Sequence, residues 1–385
     1  MTARRGDDVA AIVAAAEVPY SRHPPTGTTT TALLADAFVR VLQAADIERD
    51  EVDGLGVASF TLAPDHAIDL AWRLGVRLRW LMEDPHGGVS ALNLLQHALH
   101  AVESGEATNV VLLAGDHFAP GDFERFVTHY NRATSEHLAP IPTGGPNAQF
   151  ALLTQRHMAR HELGREDYAG IPVSQRAWAA RNPGAVYREP LSVDDYLAAP
   201  VVAPPLGRYD CVPVVSGADA VLVSRAPPNA PGVRVRALRS SFNHDNQLGD
   251  GLTTGLDSVA AEFWDAAGFG PQDVDLACVY DDYPVMVLIQ LDELGFVLDG
   301  DVRRFVRERL EGDRWPLNPS GGQLSAGQAG AAGGMHGLVE AVQQLLGLAG
   351  EHQVEGARRA VVTGYGMLVY LHGGCAAVAA LESTG

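Results

Sequence analysis

One order of secondary-structure elements occurs twice in this sequence, and it constrains the fold more than any other feature. Residues 31–59 predict an amphipathic helix, a short turn with a Val-Asp step and then a buried strand. Residues 256–280 predict the same elements in the same order. Helix–strand alternation is common in α/β proteins, so one matched pair indicates only the structural class.

A second matched pair follows the first in each half of the chain. Residues 87–105 begin with a glycine pair and predict a helix, which leads to a strand at 110–115. Residues 321–348 also begin with a glycine pair and predict a Gly/Ala-rich helix, which leads to a strand at 360–364. Two pairs in the same order favour a duplicated α/β lobe over a chance recurrence of common elements.

The length of the chain agrees with a duplication, because 385 residues are too many for one small core. We predict an N-terminal lobe over residues 1–232 and a C-terminal lobe over residues 233–385. The stretch from about 117 to 205 has no counterpart in the second half. It therefore predicts an insertion over the first lobe.

The charge of the chain excludes some classes of partner. It has 28 basic and 47 acidic residues, a formal net charge of -19, which repels nucleic acid and anionic membrane surfaces. No apolar run approaches the roughly 20 residues that a membrane-spanning helix needs. Three widely spaced cysteines predict neither a disulfide framework nor a metal site, and they favour a reducing, cytoplasmic setting.

Several ordered motifs carry a resemblance to a known family. They are Gln149-Phe150-Ala151-Leu152-Leu153, Arg181-Asn182-Pro183, the segment 210–220, Val279-Tyr280-Asp281 and Asn318-Pro319-Ser320-Gly321-Gly322. In this order they resemble the thiolase superfamily, within it the sterol-carrier-protein-X type thiolases and their steroid-degrading relatives. The resemblance implies an α/β thiolase fold of two duplicated lobes, five-layered αβαβα, with a loop-domain insertion in the first lobe. It also implies a homodimer.

The three chemical positions of a thiolase are changed in this chain. Where the family carries its nucleophilic cysteine, the matching residues are Gly88-Val89-Ser90-Ala91, and no cysteine lies between residues 1 and 210. Gln328 stands in place of the family's histidine, and Tyr365 lies near the position of its second cysteine. An amide cannot transfer a proton at neutral pH. Ser90 as a substitute nucleophile would need a neighbouring base, so Claisen chemistry is disfavoured.

The remaining polar residues are able to carry acid–base chemistry. By resemblance, Tyr280 is the base or acid, Asp281 assists it, Tyr365 is a second proton-transfer group and Asn318 holds an oxyanion. His372 is a further candidate, which we expect within an apolar strand. A tyrosine near its free pKa of ~10 serves as an acid without help, but as a base it needs a lowered pKa.

Binding and stabilising residues complete the predicted site. The oxyanion and the substrate are expected at the glycine-lined helix starts and at the glutamine: Gly87, Gly88, Gly322 and Gln328. We expect no metal and no cofactor other than the coenzyme A of the substrate, because the histidines lack metal-ligand spacing.

Three functions are compatible with this residue set. The first is a retro-aldol cleavage of a β-hydroxyacyl-CoA, completed by a small OB-fold/zinc-ribbon partner that the resemblance implies. The second is a non-catalytic acyl-CoA-binding subunit of a heteromeric complex. The third is an acyltransferase or condensing enzyme with an unidentified nucleophile. The sequence does not specify the acyl group of the substrate: steroid, aromatic and branched aliphatic groups are all compatible with it.

Overall fold

The structure, a computed structural model, describes residues 9–119, 121–138, 140–141, 145–226, 230–311, 315–369 and 371–384. Its strands are β1 (Val9–Ser21), β2 (Gly54–Ala58), β3 (Trp80–Glu83), β4 (Asn109–Asp116), β5 (Val201–Ala203), β6 (Leu206–Gly207), β7 (Ser216–Ala226), β8 (Val233–Phe242), β9 (Leu276–Cys278), β10 (Arg359–Leu368) and β11 (Gly373–Ser383). Its α-helices are α1 (Thr30–Ala45), α2 (Ala67–Leu74), α3 (Ser90–Ser104), α4 (Asp122–Thr128), α5 (Pro146–His161), α6 (Gly170–Ala179), α7 (Val193–Ala198), α8 (Asp257–Ala267), α9 (Pro284–Glu293), α10 (Val302–Phe305), α11 (Gly322–Ser325) and α12 (Gly333–Leu345).

Short turns of tighter or wider helix separate these elements. The 3-10 turns are Arg49–Glu51, Gly87–Val89, Arg165–Asp167, Arg208–Asp210, Pro271–Asp273, Leu298–Gly300, Gly330–Ala332 and Gly350–His352, and the π-helical turns are Thr134–Leu138 and Val306–Leu310. Across the part of the chain that the structure describes, no helix combines the length and the apolar character needed to cross a membrane.

Nine strands form one mixed sheet, in the order β3-β2-β4-β7-β1-β8-β11-β10-β9. In its first half-sheet (β3-β2-β4-β7-β1), β2 is parallel to β3 and β4, whereas β7 is antiparallel to β4 and β1. In the second half-sheet (β8-β11-β10-β9), β11 is antiparallel to β8 and β10, and β9 is parallel to β10. A single residue pair, Ile12 with Val233, joins the halves.

Helices cover both half-sheets and fill the space between them. Phe38 of α1 belongs to the core outside the first half-sheet, and Leu94 of α3 and Leu338 of α12 belong to the core between the halves. Phe263 of α8 and Met286 of α9 belong to the core outside the second half-sheet. Because alternate strand residues point to opposite faces, a central strand contributes to two cores, as Leu112 and Leu113 of β4 show. The predicted five-layered αβαβα arrangement is confirmed.

The duplicated elements fold largely as the sequence predicts, with one exception. The matched pairs α1–β2 and α8–β9 and the pair α3–β4 lie where they are expected. The predicted continuous helix over 321–348 is wrong, because it is divided into α11 and α12. Gly327 (φ 123°) and Gly330 (φ 57°) adopt left-handed backbone, and Val215 N–H donates to the Gln328 carbonyl at 3.1 Å. The lobe boundary at residue 232 stays a prediction.

Helices α4 to α7 lie in the stretch predicted as an insertion, and α5 and α6 pack on the second half-sheet's outer core. Phe150 and Leu153 of α5 join the buried cluster that contains α9. At the other end, Asn131 Nδ2 donates to the Leu368 carbonyl at 2.7 Å, and the Tyr130 hydroxyl lies 3.2 Å from Met367 Sδ. These contacts hold the α4 segment against the end of β10.

Candidate active site

A cavity of about 600 Å³ lies between the α4–α5 segment and the second half-sheet. Four of the residues predicted for the site line it: Gly88 before α3, Tyr280 after β9, Gln328 between α11 and α12, and Tyr365 on β10. The carboxyl end of a strand in an α/β sheet is the usual place for a ligand site, and Tyr280 occupies such an end. The volume is in the range of small-molecule sites.

Gly88 has no room for a side chain. A Cβ atom at this position would lie 2.1 Å from the Tyr365 carbonyl oxygen and 2.5 Å from two carbons of the Tyr280 ring. The first contact is with backbone, which cannot move aside cheaply. A cysteine at Gly88 is therefore incompatible with this arrangement of the two tyrosines.

Tyr280 is held by hydrogen bonds from three sides. Its N–H donates to Thr363 Oγ1 at 2.9 Å, and Gln290 Nε2 donates to its carbonyl at 2.9 Å. Gln328 Nε2 donates to the Tyr280 hydroxyl at 3.2 Å, so the phenolic proton is left to donate elsewhere. Burial, followed by the charge of Asp282, raises the Tyr280 pKa well above its ordinary value. Tyr280 is a neutral phenol and therefore a proton donor.

Asp281 does not line the cavity, although it was predicted to assist Tyr280. Its carboxylate accepts from the backbone N–H of Gln323 at 3.0 Å and of Leu324 at 3.3 Å, at the start of α11. A Cβ at Gly322 would lie 2.1 Å from Asp281 Oδ2, so this glycine makes room for the carboxylate. Asp281 and Gly322 thus form a buried structural contact on the side away from the cavity.

Asn318 is also turned away from the cavity. Its Oδ1 accepts from the Val279 N–H at 2.7 Å, and its Nδ2 donates to the Val279 carbonyl at 3.0 Å. The amide therefore bonds both polar backbone groups of Val279, as a neighbouring strand would. The predicted oxyanion role is replaced by an anchoring role at the end of β9, immediately before Tyr280.

Tyr365 and His372 lie close in the chain but differ in their relation to the cavity. The Tyr365 hydroxyl accepts from the Gly373 N–H at 2.6 Å, and burial is the main cause of its raised pKa. His372 is buried in the turn before β11 rather than within a strand, and its Nε2 lies 3.1 Å from the Asp245 carboxylate. It does not line the cavity. Gly87, next to Gly88, lies against the ring of Phe60 instead.

Asp282 lines the cavity and was missed by the sequence analysis. Tyr280 and Asp282 both line the cavity, whereas Asp281 between them accepts hydrogen bonds at the start of α11. Burial, followed by the charge of Asp281, raises the Asp282 pKa well above its ordinary value. The sequence signal for this residue is its position in the short polar segment Tyr280–Tyr283 that follows β9.

An aromatic wall, formed by Phe60, Phe123, Phe126 and Tyr130, covers one side of the cavity. The Phe60 and Phe126 ring centroids are 4.8 Å apart, and those of Phe126 and Tyr130 are 5.2 Å apart. Phe123 and Phe126 come from α4, within the stretch predicted as an insertion. The wall favours an apolar ligand with flat faces.

The candidate nucleophiles are not activated. Cys211 is the cysteine that lines the cavity, and burial raises its pKa to about 12, so it is a thiol at neutral pH. Burial also raises the pKa of Cys375 to about 11. Ser90 is fully buried, its Oγ donates to Asp84 Oδ1 at 2.6 Å, and it does not line the cavity, so it has no access to a substrate there.

Fold and cavity together define a thiolase-fold protein whose site holds acid–base groups in place of a thiolate. Residues 239–375 match the family model described as Thiolase C-terminal domain-like. The chain is 30% identical over 379 residues to the 17-hydroxy-3-oxo-4-pregnene-20-carboxyl-CoA lyase of Mycobacterium tuberculosis, with 92% of this chain and 95% of the relative covered. The chain belongs to the thiolase superfamily.

Two further comparisons agree with this assignment. The steroid side-chain-cleaving aldolase of Thermomonospora curvata is 28% identical over 360 residues, with 88% of this chain and 90% of the relative covered. Among solved structures, the Ltp2-ChsH2(DUF35) aldolase superposes with a TM-score of 0.83 at 24% identity, and 98% of each chain is covered. The similarity to this solved structure supports the fold alone.

Proposed function

We propose that this chain is a thiolase-fold aldolase that cleaves a β-hydroxyacyl-CoA by retro-aldol chemistry. The close contact between Gly88 and the Tyr280 ring is the main support for the proposal. It leaves no space for a nucleophilic side chain at position 88, and it places a proton donor, Tyr280, next to that position. A retro-aldol cleavage needs no covalent acyl-enzyme, only a base, an acid and stabilisation of an enolate. The two relatives above are named as a CoA lyase and an aldolase.

In this reaction Tyr280 is the acid. A base removes the proton of the β-hydroxyl, its oxygen forms the carbonyl of the departing ketone, and the Cα–Cβ electrons move into the thioester enolate. Tyr280 then protonates the α carbon. Gln328 orients the tyrosine by donating to its hydroxyl. The backbone of Gly88 lines the same cavity at the start of α3, where free N–H groups favour an oxyanion.

The acyl group of the proposed substrate is bulky and apolar. The cavity of about 600 Å³ has room for a polycyclic group, and Phe60, Phe126 and Tyr130 supply faces for it. The names of both relatives refer to pregnene or steroid side chains, so a steroid acyl-CoA is the substrate class that we propose. Coenzyme A enters as part of this substrate, with no further cofactor.

The proposal includes two partners of different kinds. The structural neighbour is named as Ltp2 with ChsH2(DUF35), which supports a partner protein for this chain; we propose that it is the small OB-fold/zinc-ribbon protein that the family resemblance implies. A homodimer is supported by β3, which ends the nine-stranded sheet, and by Ile68 and Trp72 on α2, which are 62% and 76% exposed. The free thiols of all three cysteines agree with a cytoplasmic setting.

The test is to purify the tagged chain from its native lysate with its co-purifying proteins and to supply 17-hydroxy-3-oxo-4-pregnene-20-carboxyl-CoA. We expect a ketone and a shortened acyl-CoA, identified by mass spectrometry. Tyr280→Phe should lower kcat by roughly 10²–10⁴-fold, as for loss of an acid group. Tyr187→Phe, whose hydroxyl lies outside the cavity, is the matched control.

The alternative functions give different outcomes in the same experiment. Binding of the acyl-CoA without cleavage, even with the co-purified partner, identifies a non-catalytic subunit. Cleavage that is unchanged in the Tyr280→Phe variant excludes the tyrosine mechanism. An acyl group covalently attached to the chain identifies an acyltransferase with a nucleophile outside the set considered above.

A further inference from the structure

Asp282 has a side-chain carboxylate and is one of the residues that line the cavity. It follows Tyr280 and Asp281 and precedes Tyr283, whose hydroxyl donates to Asn147 Oδ1 at 2.7 Å. The Asp282 side chain is half-buried, and its accessible surface lines the cavity. Its Oδ1 atom is buried without a hydrogen-bond partner. A buried carboxylate oxygen without a partner is rare and needs an explanation, of which a catalytic role is one.

The neighbouring Asp281 shows that an unpartnered carboxylate oxygen is not a general property of residues 280–283. Asp281 Oδ1 and Oδ2 both accept from backbone N–H groups at the start of α11. Asp282, one residue later, points to the opposite side and has no such cap for Oδ1. Asp282, unlike Asp281, therefore lies on the cavity side of the chain, where the substrate is expected.

Other groups in the cavity are poorly suited to accept a proton. Tyr280 and Tyr365 are neutral phenols, and the Tyr365 hydroxyl already accepts from the Gly373 N–H. Glu124 is the other carboxylate that lines the cavity within the described ranges, but it is exposed on α4. Asp282 is the carboxylate that burial makes more basic, since its pKa is raised.

We propose that Asp282 is the general base that takes the proton of the substrate's β-hydroxyl; this inference rests on the retro-aldol function proposed above. The O–H electrons form the ketone C=O, the Cα–Cβ bond breaks, and its electrons form the thioester enolate. Tyr280 donates its proton to the α carbon. The proton on Asp282 then returns to the Tyr280 oxygen, which restores both groups without an external acid or base.

The decisive variant is Asp282→Asn, tested in the chain with its co-purified partner and with 17-hydroxy-3-oxo-4-pregnene-20-carboxyl-CoA as the probe. Asparagine keeps the shape of the side chain but cannot accept the proton. We expect kcat to fall by roughly 10²–10⁴-fold with KM nearly unchanged, since the hydroxyl proton moves only in the transition state. Asp265→Asn, at an exposed carboxylate of α8 outside the cavity, is the matched control and should keep the original kcat.

A second variant makes the result independent of how well the first one folds. Asp282→Ala leaves a space that formate fills, and added formate should restore part of the lost cleavage, whereas formamide should not. A folded Asp282→Ala chain that formate does not restore counts against the proposal. So does an Asp282→Asn chain that keeps the original kcat.

The outcomes separate this inference from the function on which it rests. If the unaltered chain with its partner does not cleave the probe, the aldolase function fails and the role of Asp282 fails with it. If the unaltered chain cleaves the probe and Asp282→Asn does so equally well, the aldolase function stands and another base must be found. Loss of kcat in Asp282→Asn with formate rescue of Asp282→Ala supports both.

Discussion

The ring of Tyr280 occupies the space into which a side chain at Gly88 would extend. An added Cβ would lie 2.5 Å from that ring and 2.1 Å from the backbone oxygen of Tyr365. The glycine and the tyrosine are therefore coupled, since a cysteine at 88 is possible only if the Tyr280 ring and the Tyr365 backbone move. The phenol of Tyr280 therefore lies beside the position at which a thiolase carries its thiolate.

Gly88→Cys should not convert the chain into a thiolase. Because the new Cβ meets backbone, we expect a free energy of unfolding lower by about 1–3 kcal/mol, the usual effect of overpacking, together with loss of cleavage. Chemical denaturation and intact-mass measurement after incubation with acyl-CoA check both. Gly374→Ala, whose nearest neighbour would be 3.5 Å from the new Cβ, is the control. A folded Gly88→Cys chain that becomes acylated would show that the site tolerates a nucleophile.

Gln328→Leu should weaken Tyr280 as an acid without removing it. The glutamine amide lowers the Tyr280 pKa by donating to its hydroxyl, against the larger effect of burial. Loss of one hydrogen bond should raise the activation free energy by about 1 kcal/mol, so kcat should fall about fivefold. Steady-state kinetics measure this. Gln155→Leu, at an exposed amide on α5 outside the cavity, should leave kcat unchanged, and equal rates for both variants would contradict the orienting role.

Phe126→Ala should affect binding of the acyl group more than the chemical step. Its ring is packed between Phe60 and Tyr130. Loss of the aromatic surface that it offers to the acyl group should make the free energy of binding less favourable by about 1.5–3 kcal/mol. We expect KM for the steroid acyl-CoA to rise by about 10-fold to 100-fold with a smaller change in kcat. Phe242→Ala, on a ring that is 48% exposed outside the cavity, is the control. An unchanged KM would place the acyl group elsewhere.

Much of the fold was predictable because it depends on local pattern. The helix α1 begins after Thr29, whose hydroxyl accepts from the Ala32 N–H, and α3 ends at Gly105 with φ 79°. Both boundaries can be read from adjacent residues. The break between α11 and α12 was missed because it depends on pairing of Gln328 with a segment more than 100 residues earlier.

The site was predictable only in part, for a similar reason. The strand end identifies Tyr280, but the choice between Asp281 and Asp282 depends on which side of the chain faces the cavity. Asn318 was assigned to an oxyanion by its match to the asparagine of the family motif. It instead bonds Val279, 39 residues away, a contact that the sequence does not specify.

A buried ionic contact between His336 and Glu17 should make stability depend on alkaline pH. Burial lowers the His336 pKa, but the hydrogen bond and charge of Glu17, with the charges of Asp219 and Glu340, raise it to about 9. Because the folded pKa exceeds the unfolded value of 6.5, the stabilisation is complete below pH 6.5 and is lost as pH rises through about 9. Denaturation at pH 6 and pH 10 should differ by an amount on the order of 3 kcal/mol. His336→Gln should remove most of that difference, and an unchanged difference would show that other groups cause it.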